Sequence, residues 1–257
     1  AATGAATAIA YVSDGIAQYA TGGISSLASI VNDGAINIAA VAYATGTAGA
    51  NATATAMGAE QDANGGTASF VQGSDGTFAV TARPNASATG GTASANADAE
   101  GLQQDVAGGL ALFDNAGLFD VAAVAYATGS SAVANAHALG HDLNEGESFE
   151  IDWVNQEGGT FEVSADATAF GSAYATAVGV SASVFGQTTL YATAPAQLSG
   201  SIVNDGTFSV LAHANGSGTS GAIATGIVLN SGVNTMEVTN TGTFNVEAST
   251  AAGGPAT

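Results

Sequence analysis

Cysteine is absent from the 257 residues, and lysine and arginine together amount to one residue, Arg83. Without cysteine no disulfide holds the fold, so an extracellular address is neither required nor forbidden. One cation stands against 21 acidic residues, for a net charge of −20. Such a chain cannot replace the phosphate counterions on which nucleic-acid binding depends, and it gains nothing from an anionic membrane surface. The acidic excess is accounted for by solubility alone. No apolar run reaches the roughly 20 residues of a membrane-spanning helix. Prolines number three and aromatics make up 7%, while hydrophobic residues, about half of them alanine, reach 46%. That composition suits a long, thin core rather than a thick one.

What is present is a repeat. Counted from Gly34, Gly76, Gly117, Gly159, Gly206 and Gly242, the residue two on is Ile36, Phe78, Phe119, Phe161, Phe208 and Phe244. Four on it is Ile38, Val80, Val121, Val163, Val210 and Val246, and six on it is always alanine, from Ala40 to Ala248. Twelve on, the series closes with Gly46, Ala88, Gly129, Gly171, Gly218 and Gly254. Alternation at period two predicts a strand with one buried face, about 11 residues long. The origins recur about every 42 residues, the signature of a repeat architecture. The string AAVAYATG returns at Ala39–Gly46 and Ala122–Gly129. An insertion near Pro195 followed by a shorter repeat preserves that double period. The expectation is one continuous repeat domain over residues 1–257.

Two further strands are expected in each repeat. Alternating alanines mark one, as in Ala52-Ala54-Ala56-Gly58 and Ala134-Ala136-Ala138-Gly140. Alanine favours helix on propensity alone, but the alternation with Thr, Asn and Ser, and the glycine stops, indicate a strand. The other precedes each origin glycine, as in Leu27–Val31 and Leu110–Phe113, and runs into a corner such as Asn32-Asp33-Gly34 or Asn204-Asp205-Gly206. Asn and Gly tolerate positive φ, a reason for finding them at a sharp corner. Glu60–Gly66 and His141–Glu147 are expected to be surface loops. The fold class predicted is an all-β parallel β-solenoid of about six repeats, with one wide coil per repeat favoured over two unlike coils. A six-bladed β-propeller is the alternative.

The segments Ile202–Val210 (IVNDGTFSV), Val238–Val246 (VTNTGTFNV) and, more weakly, Ile30–Ile38 (IVNDGAINI) resemble repeats of bacterial autotransporter passenger domains and filamentous-haemagglutinin-type adhesins. The resemblance spans about residues 30–250 and carries no catalytic residue. Those families use about half this length per coil. It implies a β-solenoid fold and a place at the cell surface or outside the cell.

Candidate chemistry is sparse. His137 and His141, with Asp142 beside them, have a zinc-like spacing, but a strand end at Gly140 and the distance to His213 favour outer-face and loop histidines. Acids at the corners, Asp33, Asp75 and Asp205 with Asp114 and Glu157, would bind calcium if the corners stacked them. Asp120, Glu162 and Asp166 fall on the outer face, where polysaccharide-cleaving solenoids keep carboxylates, without forming a dense cluster. The Pro84 next to Arg83 suggests a strand-edge irregularity. Thr53 and Thr55, and Tyr43, Tyr126, Thr45 and Thr128, do not recur as an ice-binding array needs. No catalytic residue is expected and no cofactor apart from that calcium. The reading is a secreted structural solenoid that joins head to tail with itself in a filament or scaffold. It is motivated by a start at Ala-Ala without Met and by Tyr19–Gly22 read as the end of a first-type strand. The alternative is an adhesin for glycans or cell surfaces, hinted at by Tyr43, Tyr126 and Tyr174. Ice binding and polysaccharide degradation rank below both.

Overall fold

The computed structural model describes residues 4–22, 25–145, 148–184 and 197–252. Within them the chain is all β and forms three parallel sheets. The Phe sheet contains β4 (Ala35–Gly46), β7 (Thr77–Ala88), β10 (Leu118–Thr128), β13 (Thr160–Ala169), β16 (Thr207–Gly216) and β19 (Thr243–Ala252). The Ala sheet contains β1 (Ala5–Val12) and β2 (Ile16–Tyr19), then β5 (Gly49–Asp62), β8 (Thr92–Asp105), β11 (Ser131–Glu145), β14 (Ser172–Val184) and β17 (Ser220–Asn230). The third sheet contains β3 (Leu27–Asn32), β6 (Thr67–Gln72), β9 (Leu110–Asn115), β12 (Phe149–Asn155), β15 (Gln197–Asn204) and β18 (Val233–Asn240).

Each strand pairs with its counterpart one repeat away. Phe119 lies level with Phe78 and Phe161, and Phe208 with Phe161 and Phe244. One repeat is therefore one wide coil with three faces, a parallel β-solenoid. A propeller is excluded, because its sheets stay within a blade instead of running through all repeats. The insertion near Pro195, the terminal Gly254 and the Ala-Ala start lie outside the described residues.

The core consists of ladders. Phe78, Phe119, Phe161 and Phe208 are fully buried and stack with ring centroids 5.2, 5.0 and 5.1 Å apart. From the third sheet Phe70, Phe113 and Trp153 stack at 5.5 and 5.0 Å and meet the first series edge to face, as Phe70 meets Phe78 at 5.2 Å. Both arrangements are favoured by aromatic quadrupoles. At the ends of the stack Ile36 is only partly buried and Phe244 is 43% exposed.

The Ala strands do not stop at their glycines. β5, β8, β11 and β14 continue beyond Gly58, Gly101, Gly140 and Gly179. Inward alternation shifts by one residue there, so that Gly140 and His141 are both buried. These glycines are required by space. A Cβ on Gly101 would lie 2.4 Å from the Gly140 carbonyl oxygen and 2.8 Å from Phe119 Cζ. The Phe ladder rests on a glycine ladder. Consequently Glu60–Gly66 and His141–Glu147 are not simply surface loops, since β5 reaches Asp62 and β11 reaches Glu145.

The corner glycines also differ from expectation. Positive φ occurs, among the described residues, only at Gly65, Gly108, Gly158 and Gly200. Gly34, Gly76, Gly117, Gly159, Gly206 and Gly242 have ordinary φ. Except at Gly34, which has open space, a Cβ at these corners would strike backbone of the preceding coil: 2.5 Å from the Asn32 oxygen at Gly76, and 2.3 Å from the Gly76 oxygen at Gly117. Close stacking of coils, not turn geometry, selects glycine there.

Candidate functional site

The histidines separate. His137 points outward and meets Asp98 at 3.1 Å, which holds its pKa above the ordinary value. His141 points into the core, 1% exposed, with its ring 5.3 Å from Phe113. Burial lowers its pKa to about 3. The two imidazoles lie on opposite faces of β11 and cannot share a metal. The expectation of loop and outer-face histidines holds for His137 and fails for His141, because β11 runs on through Gly140 and its phase shift turns the next residue inward.

The corner acids do not stack. Backbone hydrogen bonds place Asp33, Gly73, Ala116, Gln156, Asp205 and Thr241 in one column. Asp75 sits in a longer corner, and Asp114 lies within β9, accepting from Gln156 Nε2 at 2.5 Å. Asp205 accepts from Thr241 Oγ1. Among the described residues no group of three or more His, Asp or Glu is arranged to hold a metal ion.

What stacks at this corner is neutral amide. Asn32 Nδ2 donates to Gln72 Oε1 at 3.1 Å, and Gln72 Nε2 to Asn115 Oδ1 at 3.0 Å. The chain continues through Asn155 at 2.8 Å, Asn204 at 2.8 Å and Asn240 at 2.7 Å. The second amide hydrogen of Asn32, Asn115, Asn155 and Asn204 goes to a backbone carbonyl, that of Thr77, Thr160, Thr207 and Thr243 respectively. Every donor points toward the C-terminal end of the stack. A shorter ladder runs the other way inside the Ala sheet, from Gln104 to Gln61 to Gln18 at 2.8 and 2.9 Å. The sequence signal for the first was the recurring Asn before the corner. Gln61 gave none, since its segment reads as a loop.

The outer faces are mostly polar. On the Phe sheet Glu162, Asp166, His213 and Glu247 border a shallow open groove of about 330 Å³, in which His213 Nδ1 meets Ser249 Oγ at 2.8 Å. Asp120 lies level with Glu162, and burial, then Glu162, raises its pKa. On the Ala sheet, burial and then Asp142 and Asp98 raise Glu100 to about 7. Arg83 is exposed and makes no ion pair among the described residues. Pro84 stands inside β7, an interior strand rather than an edge, and the ladder to β10 is interrupted at Arg83 and Pro84. Tyr43 and Tyr126 share the Phe sheet with Asn85 between them, while Tyr174 is on the Ala sheet. The three tyrosines therefore do not form one platform. Thr53 and Thr55 are flanked by Asn96 and Asp98 in the next coil, and Thr45 and Thr128 by Ser87.

The two ends of the stack have matching steps. β1 and β2 extend the Ala sheet one coil beyond β3 and β4, and β18 and β19 extend the other two sheets one coil beyond β17. Tyr19 accordingly belongs to an Ala-sheet strand, β2, and not to a first-type strand, because Ile16–Tyr19 pair with Ala59–Asp62. No family model, no curated protein and no solved structure matches the chain.

Proposed function

We propose that the protein is a structural subunit, a rigid β-solenoid rod whose coils stack head to tail on those of further copies in an extracellular filament or surface scaffold. The observation that carries this reading is the register across the stepped ends. With β1 and β2 of a second copy laid on β17, Ala10 of that copy continues the column of Ala222 and Gly15 the glycine column of Gly226. With β4 laid on β19, Ile36, Ile38 and Ala40 continue the columns of Phe244, Val246 and Ala248. Phe244 and Val246, 43% and 39% exposed, would be covered. Asn240 would then donate to Asn32 of the second copy, in the same sense as the rest of the ladder. Strand edges that have no partner among the described residues, as those of β1, β4, β17 and β19, recruit further strands, and a heterologous contact that does not close propagates into a filament. The resemblance to adhesin and autotransporter repeats agrees with a surface or secreted location.

Sedimentation and electron microscopy over a concentration series, with and without calcium, test the reading. Rods that lengthen with concentration are expected, and Val246→Lys should abolish the lengthening by placing a charge in the joint. A protein that remains monomeric at high concentration in both conditions sinks the proposal.

A further inference from the structure

The outer face of the Phe sheet is polarised along the stack. Arg83, the chain's one Lys or Arg, projects from β7. The carboxylates Glu162 and Asp166 project from β13 and Glu247 from β19. Between and beside them are apolar side chains: Val41 and Tyr43 are 43% and 68% exposed, Tyr126 is 37% exposed, and Val124 is half-buried. The sheet pairings put Val41 level with Arg83, and Val124 level with Asp166 and, through its flanking pairs, with Arg83. One column thus reads Val41, Arg83, Val124, Asp166, His213, Ser249, with Val124 midway between Arg83 and Asp166.

We propose that this face is a self-association surface, on which two copies pack Phe sheet to Phe sheet about a two-fold axis lying along β10. Such an axis keeps each column opposite itself and inverts the order of coils. β7 of one copy then faces β13 of the other, so Arg83 meets Asp166 of the second copy, twice over by symmetry. Val124 faces Val124 and Tyr126 faces Tyr126 across the axis. Val41 faces His213, and Glu162 faces the methyl of Ala79. Asp120 faces Asp120, a like-charge contact set against the two Arg83–Asp166 pairs. Ten residues of strand over five coils give a face of roughly 33 by 24 Å, about 800 Å² per partner, the size of a standard specific interface. A second copy is the occupant that the charges select. The chain carries one cation on this face and, two coils away in the same column, the acid that would receive it. This lateral pairing uses outward side chains, Val41 of β4 among them, whereas the filament joint uses the inward columns and backbone edges of the end strands, so either contact can fail without the other.

The absence of cysteine makes the test clean. Packed sheets lie about 10 Å apart, so Val124→Cys on the axis should give a covalent dimer with a short bismaleimide. Asn245→Cys, at the far end of the same face, should give at least tenfold less. Arg83→Asp in the Val124→Cys background should remove the dimer, and adding Asp166→Arg should restore it. Val246→Lys should leave it unchanged. Sedimentation of wild type against Arg83→Asp gives the same reading without cysteine, with the dimer lost in the variant. Equal cross-linking at both cysteines, a dimer indifferent to Arg83→Asp, or no rescue by the charge swap overturns the proposal.

Discussion

The ring of Phe161 rests on Gly140: a Cβ placed on that glycine would lie 2.6 Å from Phe161 Cζ and 2.6 Å from the Gly179 carbonyl oxygen. The same pairing joins Phe119 to Gly101 and Phe208 to Gly179. Neither partner is therefore replaceable alone. Gly140→Ala should destabilise by about 1–3 kcal/mol through overpacking, since both neighbours are held by coils on either side. Chemical denaturation measures it, and a neutral result would mean the coils are not stacked this closely.

Truncation from the other side should cost more. Phe161→Ala removes a fully buried ring that stacks on Phe119 and Phe208 at 5.0 and 5.1 Å. Loss of about 3–5 kcal/mol is expected for such a cavity. Phe244→Ala, on the exposed end coil, should cost well under half of that in the monomeric protein.

The corner ladder gives a third outcome. Asn155→Leu deletes the donors to Asn204 and to the Thr207 carbonyl, and leaves Asn115 Nδ2 without its acceptor at 2.8 Å. Unpaired buried amides cost about 1–3 kcal/mol each. Asn155→Leu should therefore be severely destabilising, whereas Asp205→Asn beside it, an exposed corner position, should be close to neutral by the same denaturation assay.

The strand order and the inward face of the Phe sheet are legible in the sequence because period-two alternation of Phe, Val and Ala has one structural solution, and because a 42-residue recurrence fixes which residues stack. The glycines are legible as punctuation but not in their cause. A local reading assigns Gly117 to a turn, while the backbone oxygen that excludes its side chain belongs to Gly76, one coil away. Gln61 and His141 are misread for a related reason. Polar residues after a glycine read as loop, and only the neighbouring coils show that Gln61 bonds Gln18 and Gln104 in the interior. The matching of Arg83 to Asp166 is likewise invisible until the coils are in register.

His141 makes stability depend on pH in a direction that separates it from the acids. Its imidazole is fully enclosed, and neither Nδ1 nor Nε2 has a hydrogen-bond partner among the described residues. Leu102 and Val180 lie level with it in the adjoining coils, and Phe113 packs on its ring. With no carboxylate in contact, burial alone lowers its pKa to about 3, against about 6.5 in an unfolded chain. Between those values the unfolded state holds the proton and the native state does not. Its contribution is therefore intact above about pH 6.5 and is lost as pH falls, by up to about 1.4 kcal/mol per pH unit, until the native-state value is passed. Glu100 works in the opposite sense. Its raised pKa, about 7, favours folding at low pH, and that contribution is lost as pH rises from the ordinary carboxylate value through 7. Comparison with His141→Leu isolates the histidine, because the acids titrate in both proteins. The difference in melting temperature between His141→Leu and wild type should widen steadily from pH 7 to pH 4, in favour of the variant. A constant difference over that range would place the imidazole in contact with water and contradict its position inside the coil.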